Sequence, residues 1–284
     1  NLVENIVGGA DTKVYYRNVS PKLGLNFNLS KNVGFYGGYS QGFTPPQTST
    51  LFRNGDNDAA GNAVFELKPA KFNNYEVGGY FTISSKLKVD VAVYRLDGID
   101  RLISLTDDEG DFVQRNAGET ESLGVELGVK YNILENLWVN YNGSYATHKY
   151  IEFIEDDVDY SDTDIAVAPN YIASASINYK PLKNLLLTLE HEQVSEYNTS
   201  FEGQAVVGED ASGNDILGTS IYEGHNVFNF KASYTYKKFE IWGQVLNIFD
   251  ELYAVRASYS TFDNENSYTV GSPIGVNFGV KYNF

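Results

Sequence analysis

The 284 residues carry 21 basic and 37 acidic side chains, a formal net charge of −16, which argues against nucleic acid as a partner. No stretch approaches the roughly 18 consecutive apolar residues of a membrane helix, and the mean hydropathy of −0.31 suits a soluble protein or, equally, a barrel with a polar lumen and long wet loops. Cys and Met are absent, and the opening residues Asn1–Asn5 offer neither a basic nor an apolar leader, so the N-terminus is expected to be missing.

Successive side chains of a strand point to opposite faces, so a period of two in hydropathy marks a strand with one oily and one wet face. That period predicts eleven strands, near 20–30, 32–43, 69–84, 86–105, 112–132, 136–153, 165–180, 183–199, 221–237, 238–257 and 270–284. The first has Leu23, Leu25, Phe27 and Leu29 on one face; the third has Tyr75, Val77, Gly79, Phe81 and Ile83. In the fourth, Leu87, Val89, Val91 and Val93 alternate with Lys88, Asp90 and Ala92. The fifth sets Leu123, Val125, Leu127, Val129 and Tyr131 against Glu126 and Lys130, and the eighth sets Leu185, Leu187 and Leu189 against Thr188 and Glu190. Phe228, Phe230, Ala232, Tyr234 and Tyr236 form the oily face of the ninth, opposite Asn229, Lys231 and Ser233. In the last, Val276, Phe278, Val280, Tyr282 and Phe284 oppose Asn277, Gly279, Lys281 and Asn283. Lysines and carboxylates on the second face imply a wet interior, not a packed core.

The connections alternate in length. Short turns at Ser30–Asn32, Ser84–Lys86, Asn132–Asn136, Lys180–Asn184 and Lys237–Lys238 separate long polar segments near 44–68, 106–111, 154–164, 200–220 and 258–269. Short turns at one end and long loops at the other are the layout of an outer-membrane barrel. The predicted fold is therefore all-β: a transmembrane antiparallel meander β-barrel of the outer membrane, with about eleven strands present. Tyr131, Trp138, Tyr179, Tyr236, Phe239 and Tyr282 lie beside the short turns and are expected to form an aromatic girdle at the membrane interface.

No catalytic constellation emerges. His148 shares a strand face with Ser144, but four residues of strand separate them by about 13 Å, beyond a hydrogen bond. The stretch Glu155–Asp164 carries six carboxylates in ten residues; a calcium site is conceivable, but the spacing lacks the Gly and terminal Glu of an EF-hand, and a solvated acidic loop is the favoured reading. No resident metal or cofactor is implied. Ligand capture, if the chain does it, belongs to the long loops and upper lumen. Candidates are Arg53, Arg115 and Arg256, whose guanidinium groups suit an anionic ligand, and the aromatics Tyr197, Phe201, Tyr253 and Tyr259.

Several segments resemble the C-terminal half of a TonB-dependent outer-membrane receptor. They are Val19-Ser-Pro-Lys-Leu-Gly-Leu25, Tyr36-Gly-Gly-Tyr-Ser-Gln-Gly-Phe-Thr-Pro-Pro46, Leu67-Lys-Pro-Ala-Lys-Phe-Asn-Asn-Tyr-Glu-Val-Gly78, Arg115-Asn-Ala-Gly118 with Gly124-Val-Glu126, and Ala168-Pro169. Asn247-Ile-Phe-Asp250 with Tyr253 is similar to the family's N-L-F-D-x-x-Y, and Gly271-Ser-Pro273 precedes the last strand, with Ile274 where an Arg is usual. Gly279-x-x-Tyr282-x-Phe284 resembles the C-terminal assembly signal of outer-membrane barrels, departing from it at Phe278.

The resemblance implies that residues 1–284 are the C-terminal part of a 22-stranded barrel whose plug, TonB-contacting box and first strands are absent. It implies TonB-dependent uptake of a scarce nutrient across the outer membrane of a Gram-negative bacterium. A ferric siderophore is the leading expectation, with cobalamin, haem and an oligosaccharide open. The implied partners are outer-membrane lipid and lipopolysaccharide, the barrel-assembly machinery, TonB through the plug, and a small metal chelate. Half a barrel has two unmatched edges, near 20–30 and 276–284, and is expected as an open or imperfectly closed curved sheet. The rival readings are a passive porin-like small barrel, an outer-membrane enzyme and a soluble β-sandwich adhesin.

Overall fold

The computed structural model describes residues 2–7, 10–46, 67–106, 112–155, 158–200, 205–209, 215–218, 220–260, 265–282 and 284. Eleven strands form one antiparallel meander: β1 Lys22–Ser30, β2 Val33–Thr44, β3 Ala70–Thr82, β4 Leu87–Thr106, β5 Phe112–Leu134, β6 Leu137–Glu152, β7 Tyr171–Leu182, β8 Leu185–Val194, β9 His225–Tyr236, β10 Phe239–Leu246 and β11 Gly275–Tyr282. Each pairs with its neighbours in sequence, and among the described residues β1 and β11 are each paired on one side only. The expected open sheet is what is found.

The alternation read from sequence is the alternation of faces. Leu87, Tyr131, Val139, Ile177, Leu189, Phe230, Val245 and Val276 are successive cross-strand partners on one face. On the other face Lys88, Lys130, Asn140, Ser176, Glu190 and Asn229 are successive partners. Among the described residues the oily face has no protein layer over it: Val77 is 68% exposed, Leu25 73% and Phe278 85%. An apolar sheet of this extent left uncovered is the mark of a surface that meets lipid.

The wet face is concave and is braced by aromatic rings lying flat on glycines. Tyr36 partners Gly78 across the sheet, Tyr94 partners Gly124, and Trp242 partners Gly279. A Cβ at Gly78, Gly124 or Gly279 would come within 2.5 Å of the facing ring. The glycine in the terminal motif thus has a local packing role. Gly124→Val should displace the Tyr94 ring and cost about 1–3 kcal/mol of overpacking; equilibrium unfolding in detergent would measure this, and adding Tyr94→Ala should recover part of it.

The short turns form a continuous rim. Thr82 N–H donates to Asn32 O at 2.7 Å, and Asn132 N–H to Lys86 O, Lys180 N–H to Asn136 O and Thr235 N–H to Asn184 O, each at 2.8 Å. Strands run further into two turns than the sequence suggested: β5 continues to Leu134 and β7 to Leu182. Pro181 sits in a register irregularity between Tyr179 and Leu182, where its missing N–H breaks no ladder bond.

The loop ends differ more from expectation. The strand expected over 238–257 stops at Leu246, because Asn247 and Asp250 both adopt left-handed backbone, with φ of 48° and 52°. The segment Ala254–Ser260 then starts a separate hairpin with Glu265–Val270. The strand expected from 165 begins at Tyr171, with Val167 at φ 57° before it. The strands expected over 183–199 and 221–237 are interrupted too: Tyr197–Asn198 pairs with Ile221–Tyr222, and Gly224 at φ 79° separates that hairpin from β9. Further hairpins join Leu2–Val7 to Ala10–Tyr15 and Ala205–Glu209 to Asp215–Gly218.

Candidate functional site: the concave wall and the loop-end collar

The concave face holds a cavity of about 770 Å³ whose lining runs from Tyr36 on β2 to His225 at the start of β9, so the sheet curls around it. Asp90, Glu126 and Glu192 face it together with Asn142, Ser144 and Ser174, and among the described residues no Lys or Arg lines it. The middle of the inner wall is thus an acidic surface that suits a cationic or hydrogen-bond-donating occupant.

Above it the loops form a packed collar. Tyr197, Tyr222, Ala254 and Ala257 are buried together, with Val167 and Val194 against them. Three loop segments distant in sequence therefore share one small core. The Tyr197 hydroxyl accepts the Ala257 N–H at 2.8 Å, and the Tyr197 and Tyr222 ring centroids are 5.2 Å apart. The Tyr222 hydroxyl accepts the Ala254 N–H at 3.0 Å and donates to the Ala254 carbonyl at 3.1 Å. Burial pushes the Tyr222 pKa up, so the hydroxyl keeps the proton this arrangement needs. Beside this core, the Thr199 and Ser220 hydroxyls lie 2.7 and 2.6 Å from Asn266 Oδ1 and against each other, and their two protons serve two of these three contacts at a time.

The Asn247-Ile-Phe-Asp250 motif builds the corner that carries this collar. Asn247 is 2% exposed. Its backbone N–H donates to Asn229 Oδ1 at 2.9 Å; its side chain donates to the carbonyls of Glu251 and Ser272 at 2.9 and 3.1 Å and accepts the Glu251 N–H at 2.9 Å. Asp250 Oδ1 accepts the Ile274 N–H at 2.9 Å, which ties the corner to the approach to β11. A second motif contact joins loops: the Asn116 amide accepts the Lys68 N–H at 2.8 Å and donates to the Lys68 carbonyl at 2.9 Å.

Of the expected ligand contacts, Arg53 and Phe201 lie outside the described residues, and Arg115 is placed by its backbone alone, opposite Ile103 on β4. Tyr197, Tyr253, Arg256 and Tyr259 are brought to the same collar. Tyr197 is 9% exposed, and both its ring and its hydroxyl are taken up in packing, which corrects the expectation that it meets a ligand. Tyr253 is half-buried, 4.7 Å from the His225 ring. Tyr259 is half-buried and donates its N–H to Thr199 O at 3.1 Å, while Arg256 is exposed.

Of the residues expected in the girdle, Tyr131, Tyr179, Tyr236, Phe239 and Tyr282 lie on the oily face, where the Phe239 and Tyr282 rings meet tilted with centroids 5.0 Å apart. Trp138 does not: its cross-strand partners are Asn132 and Asn178, on the wet face, where Lys180 Nζ lies 5.7 Å from its ring. It is removed from the girdle. Tyr282 and Phe284 of the terminal motif meet edge-on at 5.1 Å.

The acidic loop is folded at its base, where Tyr150, Phe153 and Ile165 are buried together. Ser161 hydrogen bonds hold the Asp159 carboxyl below the usual carboxylate range, and Lys149 Nζ donates to Asp162 O at 3.0 Å. Asp156 and Asp157 lie outside the described residues, and among the described residues no three His, Cys, Asp or Glu side chains gather as a metal site. Sequence reasoning missed one contact: His148 Nδ1 bonds Ser122 Oγ at 2.8 Å, not Ser144. Only strand register brings Ser122 opposite His148, and the bond ties β5 to β6.

An open antiparallel meander with one lipid-type face, one acidic concave face and all short turns at one end is half of a transmembrane barrel wall. The family model for the TonB dependent receptor-like β-barrel matches residues 3–248, and the chain belongs to that family. Its fold is similar to three solved structures: the ferric citrate transporter FecA (19% identity, TM-score 0.70, 96% of this chain and 39% of that one), the copper transporter OprC (18%, 0.69, 93% and 39%), and the ferric yersiniabactin uptake receptor FyuA from Yersinia pestis (18%, 0.67, 96% and 38%). The chain spans well under half the length of each of these. No curated protein sequence matches it.

Proposed function

We propose that this chain forms the C-terminal half of the barrel of a TonB-dependent transporter in the outer membrane of a Gram-negative bacterium, and that the transporter takes up a metal chelate, foremost a ferric siderophore. The observation that carries this reading is the unpaired pair of edges, β1 and β11, on a sheet of eleven strands whose outer face is apolar along the stretches next to the short turns, as from Leu87 to Val93 and from Leu123 to Tyr131. Lipid tolerates no open edge, so further strands must close the ring. The acidic concave face around Asp90, Glu126 and Glu192 would receive a plug domain through its basic groups, and the plug would connect the barrel to TonB. The assembly machinery would engage Gly279, Tyr282 and Phe284. Arg256, exposed on the collar beside Tyr253 and Tyr259, is the described residue best placed to meet an anionic chelate, and Arg53, Arg115 and Phe201 complete the proposed set.

The test is accumulation of radio-iron from a ferric siderophore by cells that carry this protein as their sole receptor. Uptake should vanish when TonB is deleted, and Arg256→Ala should weaken chelate binding about tenfold, as for a lost charge-assisted hydrogen bond, without changing barrel stability. Uptake that persists without TonB and grows linearly with chelate concentration would support the passive-pore reading instead.

A further inference from the structure

The chain sorts its lysines by height. Lys31, Lys86, Lys183, Lys237 and Lys238 lie between the strands in the short turns, with Lys180 two residues before the end of β7, and the one acidic side chain there is Glu135. All five are exposed, and among the described residues none has a carboxylate within salt-bridge distance. At the loop end some basic side chains are paired: Lys68 faces Asp100, Arg95 is held by Asp97 and Glu121, and Lys149 lies near Asp164. Because the turns are hydrogen-bonded to one another, the free lysines form a row along one rim, about 10 Å apart from hairpin to hairpin where each turn carries one.

A second observation gives the row its partner. The oily face just above the rim is aromatic, and two of the five lysines lie against its rings: Lys237 Nζ is 5.4 Å from the Tyr236 ring, and Lys238 Nζ is 5.8 Å from the Tyr282 ring. An ammonium held over the face of an outward ring beside the turn sits at the level where amphipathic rings meet lipid headgroups. A soluble acidic protein would meet the same charges but would have no use for the rings.

We propose that this lysine rim binds the phosphates of anionic glycerophospholipids in the leaflet at the turn end. The proposal rests on the outer-membrane reading above. Each ammonium near an anionic lipid surface contributes about a fivefold preference, and the effect weakens with salt because the groups are exposed. The acidic loop end would be repelled by the same surface, so the charge separation also favours one orientation.

The test uses the protein purified from its native membrane and placed in phosphatidylcholine vesicles, with spin-labelled phosphatidylglycerol and spin-labelled phosphatidylcholine compared at its boundary. Phosphatidylglycerol should be enriched by about fivefold or more at low salt, and less at high salt. The variant with all five lysines changed to Gln should bring the ratio close to one, and the variant with all five changed to Arg should keep it. Equal association of both lipids with the unaltered protein, or an enrichment that survives in the Gln variant, overturns the proposal. So does a Gln variant that loses enrichment of labelled lipopolysaccharide while keeping that of phosphatidylglycerol. Failure to enter any vesicle overturns the membrane reading, and this proposal with it.

Discussion

Leu127→Arg should destabilise the protein in lipid by about 2–4 kcal/mol, the cost of a cation near the middle of the lipid-facing band of a barrel. Leu127 is midway between Leu123 and Tyr131 on β5, and its cross-strand partners Val91 and Gly143 are apolar or lack a side chain. No carboxylate on that face is in register to neutralise the guanidinium. Ser174→Arg is the matched control. Ser174 lies on the concave face, lines the cavity, and partners Glu192, so an arginine there gains an opposite charge and open space. Its cost should stay below about 1 kcal/mol, within the range of ordinary exposed ion pairs. Urea unfolding in vesicles compares the two. A sandwich of soluble type would reverse the ranking only if the faces were exchanged, and would treat both as mild if both faces met water.

Asn247→Ala should be the most damaging single change at the loop end. It removes three side-chain hydrogen bonds and leaves the Glu251 N–H and carbonyl and the Ser272 carbonyl short of partners at a part-buried corner whose buried centre is Asn247 itself. It also places a residue other than Asn or Gly at φ 48°. Unsatisfied buried polar groups cost about 1–3 kcal/mol each where water cannot replace the partner, so a total near 3–5 kcal/mol is expected. Asn247→Gly relieves the backbone term alone and should do better than Ala by about 1 kcal/mol. Limited proteolysis reads the result: cleavage should appear first within 246–275, while the hairpins from β2 to β9 stay protected.

The wall was legible because a strand repeats every two residues and one of its solvents is oil. All eleven strands could be placed from alternation, and even the lumen-facing Lys88, Asp90 and Glu126 were marked by their parity. Trp138 shows the limit of reading residue type before parity. Its nearness to a short turn suggested the girdle, yet Asn140 and Asn142 share its parity and fix it on the wet side. The loop ends were poorly legible because side chains, not alternation, decide them. Nothing in the hydropathy of 238–257 reports that Asn247 and Asp250 turn the chain. The collar could not be read at all: Tyr197 and Ala257 are 60 residues apart, and Thr199 and Asn266 are 67 apart, so only the closed-up hairpins make them neighbours.

A transmembrane wall requires that the face carrying Leu87, Val89, Val91 and Val93 meet lipid. Nitroxide labels placed one at a time along Leu87–Val93 of β4, in the protein reconstituted in vesicles, measure it directly through collision with oxygen, which concentrates in lipid, and with a water-soluble nickel chelate. Positions 87, 89, 91 and 93 should favour oxygen, and 88, 90 and 92 should not, with the same period continuing in register on β5 from Leu123 to Tyr131. Labels accessible to nickel at 87, 89, 91 and 93, or a profile with no period of two, would contradict a transmembrane wall.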